Sequence, residues 1–512
     1  ARISAAPVPT TTTGTTTTGT AITIGVNRLA QPIGYWNGLS AFTALGMVLA
    51  LGFAARGRAL ATRALSAALL VPLLATFYFT FGRTGWVALA AGLAATVAFD
   101  RRRLQLLTLL VGLFPVLALD VWLSSLSHGL TEAHTLAQAS RDGHHLAVEL
   151  LVLAGAAAAV SLALGLVESR VLVPRAGKVA FVVALGVGVG VGAGLLSARY
   201  GGPVANVKDA WRGFKAPPPQ GENLDRRLLQ LSGNGRYDMW RIAWDDARSH
   251  PWLGSGAGSY ERYFLRHQPA DVLRVRDAHG LYIEMLAELG PLGLALLLVA
   301  LGLPFVVMAR RRRGPLTAVA AGAYVVFLAH AVSDWDWELP AITLAALVCA
   351  TVLVLGDRGV ADPDAADSDV ADPVERVGVD RAPPSVPVRV AVGAGLAAAG
   401  VFAFVGLIGN SALSSSKSDL SAGKFASAES QARRAASWAP WSADPWDSLG
   451  RAQLAMGDSA AAVASFRKAL SIDRNDWQLW YDLARATGGD ARRRAVEESL
   501  ALYPRSGLKL TG

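Results

Sequence analysis

Apolar runs of about twenty residues recur along this 512-residue chain, and nothing else in it constrains the fold as strongly. A run such as LSAFTALGMVLALGFAA (39–55) matches the hydrocarbon thickness of a bilayer, which roughly 20 helical residues cross. Inside a bilayer the backbone must satisfy its own hydrogen bonds, so a lipid-facing run of this kind is a helix. The pattern predicts spans at 37–55, 59–81, 86–99, 104–123, 146–167, 178–198, 280–308, 315–333, 340–356 and 388–410, about ten in all. Hydrophobic residues make up 52% of the chain and charged ones only 17%, which excludes an ordinary soluble protein. The fold class expected is therefore all-α: a polytopic transmembrane protein.

The net charge of +9 invites a nucleic-acid partner, but its placement argues against one. Short basic clusters bracket the apolar runs: Arg56, Arg58 and Arg63, then Arg101 to Arg103, Arg170 with Arg175, and Arg310 to Arg313. All fall on one side under this count, and the positive-inside rule makes that side cytoplasmic. FGRTG, the 124–145 loop, the 199–279 loop and SDWDWELP then lie outside. Loops longer than roughly 60 residues escape the charge rule, so the basic 199–279 loop is compatible with an external position. The single cysteine, Cys349, lies in an apolar run and excludes a disulfide framework or a cysteine-rich metal site.

The expected organisation is a Thr-rich external lead over 1–36, spans over 37–198, an external catalytic loop over 199–279 and spans over 280–356. A disordered Asp/Pro/Val-rich cytoplasmic linker over 357–387, one more span over 388–410 and external helical repeats over 411–512 complete it. With neither an initiator Met nor a signal peptide, the lead suggests that residues precede it. In the last segment Gly423 and Gly457 are 34 apart, as are Ala435 and Ala469. That period resembles tetratricopeptide repeats, helix pairs that stack into an α-solenoid.

The chemistry concentrates in Asn234–Gly293. Arg236, Tyr237, Trp240, Trp244 and Ala247 lie on one helical stripe that suits the membrane interface and brings Arg236 and Arg241 to headgroup level. Gly254, Gly256 and Gly258 form either a phosphate cradle or a tight packing turn; they do not follow a strand, which argues against a dinucleotide fingerprint. His279 opens the next apolar run and can act as a general base near neutral pH. Glu284 and Glu288 follow inside that run, where ionisable groups are costly and mark function; Glu288 lies ~13 Å along the axis from His279, a bracing distance. Arg83 stands between two spans, where a guanidinium suits a phosphate. Asp334 and Asp336 flank Trp335 like a metal-holding DxD, but their external position disfavours nucleotide sugars and favours a sugar path. His128, His134, His144 and His145 read as solvated surface.

Taken together, GR-x-x-x-W, HPWLGSGAGSY and His279-x10-Gly290-x2-Gly293 resemble the O-antigen ligase/polymerase superfamily of bacterial membrane glycosyltransferases. FGRTGW, RLAQPIGYWNGLSAF from Arg28 and HAVSDWDWELPA from His330 resemble further segments of that family, whose members often carry C-terminal tetratricopeptide repeats. Gly280 departs from the Asn common after the histidine. The resemblance implies transfer of a glycan from a polyprenyl-diphosphate carrier to an acceptor hydroxyl on a glycan, lipid or protein. It further implies that the reaction takes place at the outer face of the bacterial cell membrane, with no metal or cofactor. It implies His279, Arg83 and Arg236 as catalytic, with Arg28, Arg241, Trp240, Glu288, His330 and Asp334 binding substrate. Expected partners are the lipid-linked donor, the acceptor, membrane lipid and a protein at the repeats. A polyprenyl-glycan flippase would need polar residues scattered through the spans, and a non-catalytic repeat scaffold would leave Arg83, His279 and Glu288 unexplained.

Overall fold

The computed structural model describes residues 23–24, 28–100, 102–131, 134–168, 201–216, 232–268, 275–310, 316–356 and 386–506, with isolated positions between 183 and 198 and at 224 and 228. The expected span 178–198 and the linker 357–387 lie wholly or largely outside the described residues. Helices dominate, beside one two-residue antiparallel pairing of Thr23–Ile24 with His134–Thr135. The chain divides into two units: Ala1–Tyr237, His279–Ile283 and Leu294–Val360 form the first; Asp238–Ala278, Glu284–Gly293 and Ala361–Gly512 form the second.

In chain order the helices begin with α1 (Trp36–Arg56), α2 (Leu60–Phe79), α3 (Arg83–Phe99), α4 (Arg103–Leu126), α5 (Leu136–Glu168) and α6 (Pro203–Lys215). Next come α7 (Arg236–Ser249), α8 (Tyr260–His267), α9 (Leu281–Ala309), α10 (Thr317–His330), α11 (Pro340–Leu355) and α12 (Val386–Ser421). The last five are α13 (Phe425–Trp438), α14 (Asp444–Ala455), α15 (Ser459–Ile472), α16 (Trp477–Ala486) and α17 (Gly489–Leu502). Among the described residues six helices, α1, α2, α4, α5, α9 and α12, are long and apolar enough to cross a membrane. The expected spans at 86–99, 315–333 and 340–356 are shorter apolar helices, α3, α10 and α11.

Burial ranks the helices of the first unit. The apolar window of α1 is 78% buried, against 22% in α4 and α5, so α1 is the central helix and the others turn a face outward. Exposed Phe114, Leu151, Val152, Leu296 and Val299 form the outward surface, which suits lipid tails. Ala44, Val48 and Leu51 of α1 join Leu70 and Phe77 of α2, Ala88 of α3 and Val319, Ala323 and Phe327 of α10 in one core. Small residues let α3 and α10 touch through their backbones: a Cβ on Gly92 would stand 2.7 Å from the Gly322 carbonyl oxygen. Such close approach adds dispersion contacts where lipid supplies no hydrophobic drive between helices.

The ends of these helices separate two kinds of chemistry. At the far end of α1, Arg56 pairs with Asp100 at 2.6 Å and also bonds Gln105 and the Arg102 carbonyl. At the near end of α1 lie the turns 28–35, 80–82 and 331–339. There α3, α10 and α11, only 14 to 17 residues long, reach about 21–26 Å, less than a bilayer's ~30 Å.

In the second unit, consecutive helices from α12 to α17 pack on one another. The 34-residue period reappears as geometry: Gly423 and Gly457 both take left-handed φ, +71° and +87°, and Ala435 and Ala469 are both fully buried. Phe466, Leu479, Leu483 and Ala495 make the core of the later helices. Gly290 interrupts the first turns of α9 with φ +66° and ψ −175°. A side chain there would collide with the Trp252 carbonyl, so the glycine lets the 250–260 loop lie against the helix.

Candidate functional site

The turns 28–35, 80–82 and 331–339 of the first unit help to enclose a cavity of about 870 Å³. Arg28, Arg83, Arg236 and His279 line it, with Tyr35, Asn37 and Thr84; Trp36, Phe81, Trp211 and Phe214 supply apolar wall. No carboxylate is among the lining residues described. The cavity thus offers guanidinium groups and one imidazole beside aromatic faces. That combination suits an anionic group joined to an apolar or sugar-like body.

Arg28 and Arg236 are both held from behind. Arg28 donates from Nε to the Thr80 carbonyl at 2.7 Å and from Nη2 to Asn37 at 3.1 Å, and its guanidinium lies 4.7 Å above the Trp36 ring. Arg236, the first residue of α7, donates from Nε to the Ser333 carbonyl at 2.5 Å and from Nη2 to Asp334 at 2.8 Å. Asp334 is fully buried and accepts also from Asn37 at 2.6 Å, Tyr35 at 2.7 Å and the Trp335 backbone N–H at 2.9 Å. Burial pushes its carboxyl up, but Arg236, His330 and His279 reverse this and hold it below its ordinary value. The Tyr35 hydroxyl moves the other way, raised by burial and by the Asp334 charge it donates to. One carboxylate therefore ties three separate segments, 35–37, 236 and 333–335, into one site.

A second buried pair stands behind Thr84. Its hydroxyl is 3.2 Å from His330 Nε2, and His330 Nδ1 lies 2.9 Å from Asp336 Oδ2, an ion-pair distance off the line of a well-formed hydrogen bond. His330 and Asp336 are 1% and 2% exposed, which places them behind the cavity wall. The DxD-like spacing of Asp334 and Asp336 thus serves two different partners, Arg236 and His330.

Backbone strain gathers here too. Among the described residues the non-glycine positions with positive φ are Phe81 (+48°), Asn234 (+51°) and His279 (+50°), and all three line the cavity. Each such conformation costs on the order of 1–3 kcal/mol and persists where surrounding contacts enforce it. For His279 those contacts include the Leu281 N–H to Ala331 carbonyl bond, 2.8 Å, which pins the start of α9 to the end of α10.

Of the residues expected from the sequence, Arg28, Arg83, Arg236 and His279 come together on the cavity wall, and Asp334 and His330 stand directly behind it. Trp240, Arg241 and Glu288 belong to the second unit. Arg241 is exposed and faces Asp238 at 3.5 Å. Glu288 accepts backbone N–H bonds from Gly258 at 2.7 Å and Tyr260 at 3.0 Å, so its carboxylate organises the start of α8. The Gly254–Gly258 turn is accordingly a packing turn around a carboxylate of the chain's own. Tyr35, Asn37 and Thr84 give no signal in the sequence, because neutral polar residues at span ends carry no distinctive pattern. The spacing between Asn37 and Asp334 gives no hint of their contact. The α6 aromatics are silent in the sequence for another reason: only the fold brings Trp211 and Phe214, rings 5.8 Å apart and stacked, beside Tyr237.

Apolar helices long enough to cross a membrane, beside a cavity lined by arginines and aromatic rings, mark a multi-pass membrane protein. The O-antigen ligase family model matches residues 147–298, which supports placement in the O-antigen ligase superfamily and, in general terms, a membrane glycosyltransferase of the ligase/polymerase type. The matched segment holds Trp211, Phe214, Asn234, Arg236 and His279; Arg28, Tyr35, Asn37, Arg83 and Thr84 complete the cavity from outside it. No curated protein matches the chain.

Proposed function

We propose that the protein transfers a glycan from a polyprenyl-diphosphate carrier to an acceptor hydroxyl at the outer face of the cell membrane. The observation that carries this reading is the convergence of Arg28, Arg83, Arg236 and His279 on one cavity with no carboxylate in its described lining. In the proposed step the acceptor oxygen bonds to the anomeric carbon while the bond from that carbon to the diphosphate oxygen breaks. His279 takes the hydroxyl proton, and the leaving diphosphate keeps the electron pair. Arg83 and Arg236 stabilise the charge that builds on it, in a site where such preorganised donors count for more than in water. Arg28 assists from the Trp36 side. Diphosphate leaves readily with this support, and the reading needs no metal ion. Attack opposite the leaving group inverts the anomeric centre.

The outer-face assignment is supported by the basic Arg56–Arg103 end of the helices, which the positive-inside rule keeps cytoplasmic. The 34-residue repetition of glycine conformation and alanine burial supports tetratricopeptide-type repeats in α13–α17, a surface for a partner protein or glycan. The test follows carrier-linked glycan in cells that make wild type, Arg83→Ala or His279→Ala at matched membrane levels. Loss of mature glycan with accumulation of carrier-linked units is expected in both variants, and product lengths then separate polymerase from ligase. Unchanged transfer in the Arg83→Ala, His279→Ala double variant would sink the proposal.

A further inference from the structure

Independently of the cavity, the second unit contains a surface that matches a membrane. The sequence of α12 is apolar from Val390 to Gly409, about 30 Å of helix and the thickness of a hydrocarbon core. Asn410, Ser411 and Ser414 to Lys417 follow, so the bilayer boundary falls near Gly409. Helix α13 runs back antiparallel: Ser416 bonds the Ala428 carbonyl at 2.7 Å, and a Cβ on Gly409 would lie 3.3 Å from Ala439. The end of α13 is therefore level with the boundary, and the chain then goes deeper. Trp441 stacks on Phe402, ring centroids 6.1 Å apart and planes at 20°. Phe402 precedes Gly409 by about 10 Å of helix, on the apolar side.

The aromatic residues of this turn are exposed. Trp438 is 38% and Trp441 55% exposed, and Phe402 and Leu407 beside them are 69% and 66% exposed. A Trp-Ala-Pro-Trp turn at that depth is unfavourable in water and favourable in the interfacial layer, where Trp settles. Immediately above it, α12 and α13 enclose a pocket of about 320 Å³ lined by Leu407, Ile408, Ser411, Ser415, Gln431 and Arg434. Its floor is apolar at the boundary, and its upper wall offers hydroxyls, an amide and a guanidinium. Arg433 is engaged by Glu429 at 2.7 Å, whereas Arg434 makes no ion pair among the described residues.

We propose that this is a docking site for an anionic phospholipid. The Trp438–Trp441 turn inserts into the interface, and the Arg434 pocket takes the headgroup phosphate, seating the first helices of the C-terminal unit on the membrane. Acyl chains lie against Phe402 and Leu407, and the phosphate oxygens accept from Arg434, Ser411, Ser415 and Gln431.

The full chain reconstituted in phosphatidylcholine nanodiscs, with and without phosphatidylglycerol, tests this by hydrogen exchange of residues 425–442. Phosphatidylglycerol should slow exchange by about fivefold, the worth of one basic residue at an anionic surface, and Arg434→Gln should remove that difference while the rest of the exchange pattern stays. A spin label at Trp441→Cys, in a Cys349→Ala background, should meet oxygen more readily than a water-soluble nickel chelate. Nickel access in both lipid compositions would place the turn in water and overturn the proposal. So would equal protection by inorganic phosphate in pure phosphatidylcholine discs, which would mark a soluble-anion site. An Arg434→Gln protein that still responds to phosphatidylglycerol would also overturn it.

Discussion

Replacing Asp334 by Asn tests how the cavity is held together. The carboxylate is fully buried and binds Arg236 at 2.8 Å, with Asn37 and Tyr35 at 2.6 and 2.7 Å. The amide keeps the volume but removes the charge, leaving a guanidinium only 8% exposed without its counter-ion. Breaking a buried pair in this way costs about 3–5 kcal/mol. In either orientation the new amide N–H also faces an N–H donor, that of Asn37 and Arg236 or that of Trp335, a mismatch worth about 1–3 kcal/mol that overlaps the first loss. Unfolding by SDS in mixed micelles, for wild type, Asp334→Asn, Arg236→Gln and the double variant, measures this directly. The double variant should lose at least about 1 kcal/mol less than the sum of the single ones, because they share one interaction. The pH dependence has a fixed sign. The Asp334 carboxyl is held below its unfolded value of about 3.9, so its contribution is complete above that pH and is lost as pH falls through the folded value. Asp334→Asn should abolish that acid-side loss. Stability within about 0.5 kcal/mol of wild type, or strict additivity in the double variant, would refute the argument.

Two further outcomes follow from the same geometry. His279→Gly should match or exceed wild-type stability, by up to about 1 kcal/mol, because glycine accepts φ +50° without strain; the same variant should lose glycan transfer, read in cells as above. Glu288→Gln should weaken the bonds to the Gly258 and Tyr260 N–H groups by about 1–3 kcal/mol, and limited proteolysis at 254–260 should quicken; an unchanged cleavage rate would show that the loop does not rest on that carboxylate.

The sequence by itself determined that this chain crosses a membrane as helices, because runs of some twenty apolar residues admit no other way to satisfy their backbone. It also picked out three residues that line the cavity, since Arg83, Arg236 and His279 stand out against apolar or aromatic surroundings. The 34-residue period likewise announced itself, as repetition is a property of sequence alone. The roles of the acidic residues were decided only in three dimensions. Glu288 looks like a substrate-facing group in an apolar run, but the backbone N–H groups of Gly258 and Tyr260 occupy it. Asp334 looks like half of a DxD pair, but its contacts come from Asn37 and Tyr35, nearly three hundred positions earlier. Long-range pairing of this kind leaves no periodic trace, because each partner alone is an ordinary polar residue at the end of a span. The strain at Phe81, Asn234 and His279 is equally silent in the sequence, for left-handed backbone at a non-glycine residue is imposed by the packing around it.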